Sequence, residues 1–167
     1  IFSDWYADTA LQFDPVKFNA DEIVSLAKVA GMRSIVITTK HHDGFCMFNT
    51  ATTEYNSVNA TPSKRDYVKE LSDACRRGGI NFAMYYSLID WNFPHAYPIS
   101  SHNCDFITPQ HHEFSKAQIT ELLTNYGPVS ELWFDMGSNQ PEQSKELYEL
   151  VHKLQPDCMV SGRLGNG

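Results

Sequence analysis

Glu131-Leu132-Trp133-Phe134-Asp135-Met136-Gly137 reads as a short strand that ends on a carboxylate and then breaks at a glycine. Leu132, Trp133 and Phe134 suit a buried strand, being aliphatic or aromatic with no polar interruption. Period-two alternation puts Trp133 and Asp135 on one face and Phe134 on the other. A carboxylate at the C-terminal end of a parallel strand, beside an indole, is where an α/β barrel keeps its chemistry. An Asp in that place can equally cap the following turn, so the stretch has to be weighed with its neighbours.

The rest of the chain repeats the same kind of unit. Asn19 or Asp21 caps a helix with Ile23, Val24, Ala27 and Ala30 at helical spacing, stopped by Gly31. Ser34 to Thr39 is a β-branched run, expected to be a strand buried on both faces, with Lys40-His41-His42-Asp43-Gly44-Phe45 as its exit loop. Asp66 opens a second helix that carries Val68, Leu71, Ala74 and Cys75 inward and ends at Gly78-Gly79. The next strand is Asn81 to Ser87, followed by a long polar loop from Asp90 to about Pro109. A third helix carries Ile119, Leu122, Leu123 and Tyr126, and the opening stretch is the third strand. A fourth helix with Leu147, Leu150, Val151 and Leu154 leads to a fourth strand, Cys158 to Ser161. Helix then strand, four times over, predicts parallel pairing through helical crossovers.

No GxGxxG turn follows any strand, which removes the dinucleotide-binding reading of such a pattern. Polar and aromatic residues gather instead at several strand ends: His41, His42, Tyr85, Asp135 and Arg163. That distribution predicts an α/β fold of the (β/α)8 TIM-like type, whose site is assembled from many strand ends. A whole barrel takes roughly 250 residues. The 167 residues here are therefore expected to be about four βα units, part of a single catalytic barrel domain and incomplete at both ends. The chain starts at Ile1 without an initiator Met and closes on Gly165-Asn166-Gly167, as a fragment or processed product would.

Composition narrows the function. A formal charge of −7 argues against nucleic acid, whose binding relies on Lys and Arg neutralising phosphates. No apolar run approaches the ~20 residues a membrane helix needs. Aromatics at 13% are plentiful enough to offer flat rings to a ligand. Cys46, Cys75, Cys104 and Cys158 are widely spaced and read as buried free thiols, since no CxxC pair suggests a metal.

His41-His42 can serve as a base pair, as hydrogen-bond donors to a sugar, or as an incidental loop. As a metal site it is weak, because no further ligand lies at helical spacing to complete a set. His111-His112 precedes a helix in a polar segment and is expected to be solvated; His95 and His102 are unassigned. Tyr86, Phe134 and Phe82 are expected in the core. Trp133 and Tyr85 share their faces with polar strand-end residues, which suits a pocket of indole, phenol, imidazole and one carboxylate around a sugar. Asp43 and Asp90 sit at other strand ends and read as structural.

Thr38-Thr39-Lys40-His41-His42-Asp43-Gly44-Phe45-Cys46, Ser63-Lys64-Arg65-Asp66, Tyr85-Tyr86-Ser87-Leu88-Ile89-Asp90-Trp91, and Leu123-Thr124-Asn125-Tyr126-Gly127-Pro128 through Trp133-Phe134-Asp135 form an ordered set. From about Trp5 to Arg163 that set resembles the α-L-fucosidases of glycoside hydrolase family 29. The resemblance implies a retaining exo-glycosidase that removes terminal α-L-fucose from glycans through a covalent fucosyl-enzyme, with no metal or organic cofactor. It implies Asp135 as nucleophile, and His41, His42, Tyr85, Trp133, Arg163 and the Trp5 of Asp4-Trp5-Tyr6 as the residues that hold fucose. Secreted, periplasmic and lysosomal settings suit that family.

Two residues depart from the family pattern: Asp4 stands where Glu is usual, and Met136 follows the nucleophile where Gly is common. The resemblance also implies a His-Trp-Gly strand upstream of Ile1 and an acid/base carboxylate beyond Gly167. Without that second carboxyl the alternative is a non-catalytic fucose-binding fragment. Half a barrel with two unpaired strand edges is also expected to aggregate or stay partly molten in isolation.

Overall fold

The computed structural model describes residues 3–94 and 106–164. His95, His102 and Cys104, and most of the 90–109 loop, lie outside the described residues. Four strands alternate with helices: α1 (Ser3–Ala7), a 3-10 turn (Asp8–Gln12), α2 (Ala20–Val29), β1 (Ser34–Lys40), α3 (Tyr67–Gly78), β2 (Asn81–Ser87), α4 (Pro109–Asn125), β3 (Glu131–Asp135), α5 (Pro141–Leu154) and β4 (Met159–Gly162). All strand pairs are parallel and the sheet order is β1-β2-β3-β4. Each strand thus pairs with the next one in sequence, the way a (β/α)8 wall grows.

Local chemistry sets the ends of these elements. Asn19 caps α2 by accepting from the Glu22 N–H, and Asp66 caps α3 by accepting from the Lys69 N–H at 2.8 Å. Asp66 also ties three segments together, because its other oxygen accepts from the Asn49 N–H and the Tyr126 hydroxyl. Pro109 and Pro141 open α4 and α5, where a missing N–H is harmless.

The register separates the two faces of the sheet. Ile37, Met84, Leu132 and Val160 align on one face, with Tyr86 and Phe134 one layer further on. This face packs against Val68, Leu71, Ile119, Leu122, Leu147 and Val151 of the helices to form the core. The opposite face aligns Thr38, Tyr85, Trp133 and Ser161, with Ser87 opposite Asp135 at the strand exits. The core assignments of Phe82, Tyr86 and Phe134 hold, as does the buried free-thiol reading of Cys46, Cys75 and Cys158.

Two expectations need correction. β1 is not buried on both faces: Ser34, Val36 and Thr38 are exposed, Val36 by 48%, while Ile35 and Ile37 are partly covered. β1 is an edge strand of the sheet, and helices cover only the face that Ile35 and Ile37 share. A β-branched run fits a strand with one open face as readily as a fully buried one.

His111 and His112 are not solvated but buried, in the first turn of α4. They extend the core stripe of Ser115, Gln118, Ile119 and Leu122 by one turn. Burial first, then the Lys40 charge, pushes His111 down from 6.5 to about 4, against the pull of Asp90; His112 adds to the lowering. Between those two values the unfolded chain binds the extra proton, so this residue's effect is lost stability as pH falls from 6.5 towards 4, up to about 3 kcal/mol. Nε2 of His111 is buried and unpaired, so His111→Leu should fold at pH 7. Its urea midpoint is expected to fall less than that of the natural protein between pH 6.5 and 4. Parallel pH slopes for the two would disprove this.

Candidate active site

Asp135 ends β3, and its fixed place comes from two strands. Its backbone carbonyl accepts from the Leu88 N–H at 2.8 Å, and its Oδ2 accepts from the Tyr85 hydroxyl at 2.7 Å. Tyr85 lies one alternation back on β2, on the same face. Burial first, then the bond to Asp135, raises the Tyr85 phenol well above its ordinary range, so it donates to the carboxylate at any physiological pH. The Arg163 guanidinium lies 3.4 Å from Oδ1, brought there by the backbone bond from Arg163 N to the Phe134 carbonyl.

Around this carboxylate the rings form a continuous wall. His41 stacks on Tyr85 at 5.6 Å between centroids, and Trp133 meets Tyr85 edge-on at 5.1 Å. His41 and His42 lie ring against ring at 4.0 Å. Adjacent residues of an extended chain point apart, so both reach one site only because β1 ends here. The ladder shifts register between Thr38 and Lys40, and Gly44 at φ +84° turns the loop back. A side chain at Gly44 would collide with the Asp90 carboxylate.

His42 reaches the Ser87 hydroxyl through Nδ1 at 2.6 Å, and its carbonyl accepts from the Trp91 N–H at 2.7 Å. Burial first, then His41, Lys40 and Arg163, lowers its pKa, while Asp135 pulls the other way. The ring is therefore neutral at pH 7. Behind the wall, Lys40 is fully buried and its Nζ lies 3.3 Å from Asp90 Oδ2 and over the Tyr86 ring. Burial opposes its charge, but Tyr86 and Asp90 outweigh that and hold its pKa above the ordinary lysine range.

Trp133 is 41% exposed, an indole face open to the site side of the sheet. Its seat depends on Gly162 at φ +84°, where any Cβ would collide with the Phe134 carbonyl and the indole. Met136 takes φ +59°. That left-handed conformation suits glycine and strains a methionine by roughly 1 kcal/mol.

The structure thus gathers His41, His42, Tyr85, Trp133, Asp135 and Arg163 at the exits of four neighbouring strands. Trp5 is carried on α1 and is exposed; the Asp4 side chain lies outside the described residues. Tyr6 lines a hollow of roughly 660 Å³ together with Phe13, Val36, His41, Asp43 and Tyr55. That hollow runs along the unpaired edge of β1, and among the described site residues His41 lines it. Ser87 and Lys40 lie inside the quoted motifs but received no role from the sequence, because their partners His42 and Asp90 stand 45 and 50 positions away.

Among the described residues one group has metal-type spacing: His112, Glu113 and Glu146, with ligand atoms within 4.8 Å of one another. It lies between α4 and α5, and the Lys116 ammonium bonds both glutamates, so each carboxylate already has a cation partner within the protein. No helix among the described residues is long and apolar enough to cross a membrane.

Comparison with known proteins agrees with this arrangement. The α-L-fucosidase family model matches residues 3–167. Alpha-L-fucosidase 1 of Arabidopsis thaliana is 33% identical over 162 residues, 92% of this chain and 30% of the relative. Plasma alpha-L-fucosidase of Rattus norvegicus is 33% identical over 158 residues, 93% of this chain and 28% of the relative. The α-L-fucosidase of Lactobacillus casei in complex with α-L-fucose product superposes with a TM-score of 0.87 at 37% identity, over 99% of this chain and 58% of that one. A trapped covalent intermediate of a family 29 α-L-fucosidase from Bacteroides thetaiotaomicron superposes with a TM-score of 0.88 at 30% identity, over 98% of this chain and 39% of that one. The chain spans about a third of the length of the curated relatives it matches. Motifs, fold and relatives agree: the chain belongs to the α-L-fucosidase family.

Proposed function

We propose that the whole protein is a retaining α-L-fucosidase, that residues 1–167 are part of its single (β/α)8 catalytic domain, and that Asp135 is its nucleophile. The observation that carries this is the placement of Asp135 at a parallel strand exit, held by Tyr85 and walled by His41, His42 and Trp133. The relative trapped as a covalent intermediate supports the two-step chemistry.

In the first step an Asp135 oxygen attacks the anomeric carbon of a terminal fucose. The bond to the aglycone oxygen breaks, and a second carboxyl group protonates that oxygen. In the second step water attacks the same carbon, the second carboxyl takes its proton, and Asp135 leaves as carboxylate. The two carboxyls of such a pair stand about 5–5.5 Å apart; Asp90 is engaged with Lys40 and does not supply one, and we assign the acid to the remainder of the domain. His41, His42 and Arg163 hold the sugar hydroxyls, Trp133 covers an apolar ring face, and Trp5 closes the site from α1. Both charge changes are carried by carboxyls, so the reaction requires no cofactor.

The test is hydrolysis of 4-nitrophenyl α-L-fucoside by the complete protein, with the first-formed sugar followed by proton NMR. α-L-Fucose should appear before its β anomer, and a chelator should have no effect. A β product first, or activity restored only by zinc, would overturn the reading.

A further inference from the structure

Ser87 is fully buried in β2, opposite Asp135 in the β2–β3 ladder. Its hydroxyl oxygen has three polar neighbours: His42 Nδ1 at 2.6 Å, the Ile89 carbonyl at 3.0 Å and the Ile89 N–H at 3.1 Å. A hydroxyl offers one proton and two lone pairs. The Ile89 N–H can only donate, so it takes one lone pair. The single proton then goes either to the Ile89 carbonyl or to His42 Nδ1.

The two choices are not equal. If the proton goes to Nδ1, the buried Ile89 carbonyl faces an oxygen lone pair at 3.0 Å, and among the described residues no other donor reaches it. Buried carbonyls are rarely left so. If the proton goes to the carbonyl, the second lone pair accepts from an Nδ1–H, and all three contacts become hydrogen bonds.

We propose that Ser87 is a positioning residue that fixes His42 as its Nδ1–H tautomer, so that Nε2 meets the ligand as a bare hydrogen-bond acceptor. His42 therefore receives a proton from a ligand hydroxyl and does not give one. The ring plane is set by His41 at 4.0 Å and Trp91 at 5.6 Å, and its depressed pKa keeps the second proton off. The tautomer follows from the protein alone; that the donated proton belongs to a fucose hydroxyl rests on the function proposed above. The hydroxyl that meets His42 must then be a donor, and an ether or fluorine there fails.

Long-range proton–nitrogen NMR of the ¹⁵N-labelled complete protein at neutral pH reads the tautomer directly. His42 resonances are assigned by their loss in His42→Gln. A pyrrole-type nitrogen at Nδ1 and a pyridine-type one at Nε2 are expected; the reverse pattern overturns the proposal whether or not any variant folds. Ser87→Ala should move the ring towards the Nε2–H form that free histidine prefers and raise KM for the fucoside about tenfold, with kcat changed less. Ser87→Thr, which keeps the hydroxyl, should restore both. A Ser87→Ala protein that keeps the Nδ1–H signature and its KM refutes the positioning role. An Nδ1–H signature in a protein that hydrolyses no fucoside supports the tautomer and overturns the proposed function instead.

Discussion

Asp135→Ala, which removes the proposed nucleophile, is expected to lower kcat of the complete protein by about a thousandfold or more, the scale on which single nucleophile removals act. The loss should be catalytic and not structural. What anchors the strand end is the Asp135 carbonyl, which still accepts from Leu88 N–H in the variant. The pair with Arg163 is 3.4 Å long and 65% exposed on the arginine side, so its removal changes stability by at most about 1 kcal/mol. Azide sharpens the test. A small anion can enter the space the carboxylate vacates and attack the anomeric carbon from that face, giving a fucosyl azide of inverted configuration. Rescue with β-fucosyl azide as product places the carboxylate opposite the leaving group. An Asp135→Ala protein within tenfold of natural kcat sinks the nucleophile assignment.

Lys40→Ala should produce the largest loss of stability, about 3–5 kcal/mol, because it strands the Asp90 carboxylate in the interior. Asp90 is 3% exposed and, among the described residues, keeps only the Asn92 N–H as a further hydrogen-bond partner. Lys40→Met combined with Asp90→Asn should recover much of that loss, since it removes both charges and keeps the volume. Urea midpoints of the two variants separate the effects, and a Lys40→Ala midpoint equal to the natural one would refute the account. The same pair joins the exits of β1 and β2, next to the Trp91–His42 backbone bond. The single variant should therefore loosen His42 and raise KM as well as unfold more easily.

The four helix–strand units were legible because each carries a helical apolar stripe with punctuation: a capping Asn or Asp before the first two helices, glycines after the first three, and Gln155-Pro156 after the fourth. Asp135 and its ring neighbours were legible from alternation plus the quoted motifs. Burial was harder to read. His111 and His112 looked solvated beside Gln110 and Glu113, although the stripe of Leu122, Ile119 and Ser115 continues back to them at three- and four-residue steps. Lys40 looked like a loop cation, and nothing local to it announces Asp90, fifty positions later, as its counter-ion. Val36 looked buried because β-branching reports strand geometry and not how many faces are covered. What the chain hides from sequence reading is mostly long-range pairing of polar groups, which leaves no period.

Gly162 sets a limit on how this pocket can be reshaped. Trp133 borders open space on one side, but the place it occupies is hollowed out of the neighbouring strand's backbone. Positions 133 and 162 are therefore one variable: a residue larger than glycine at 162 is admissible only with the indole gone, and the Phe134 carbonyl forbids even that unless β4 shifts. Libraries aimed at new glycan specificity gain from leaving 162 fixed and spending their diversity on the side of the indole that faces outward.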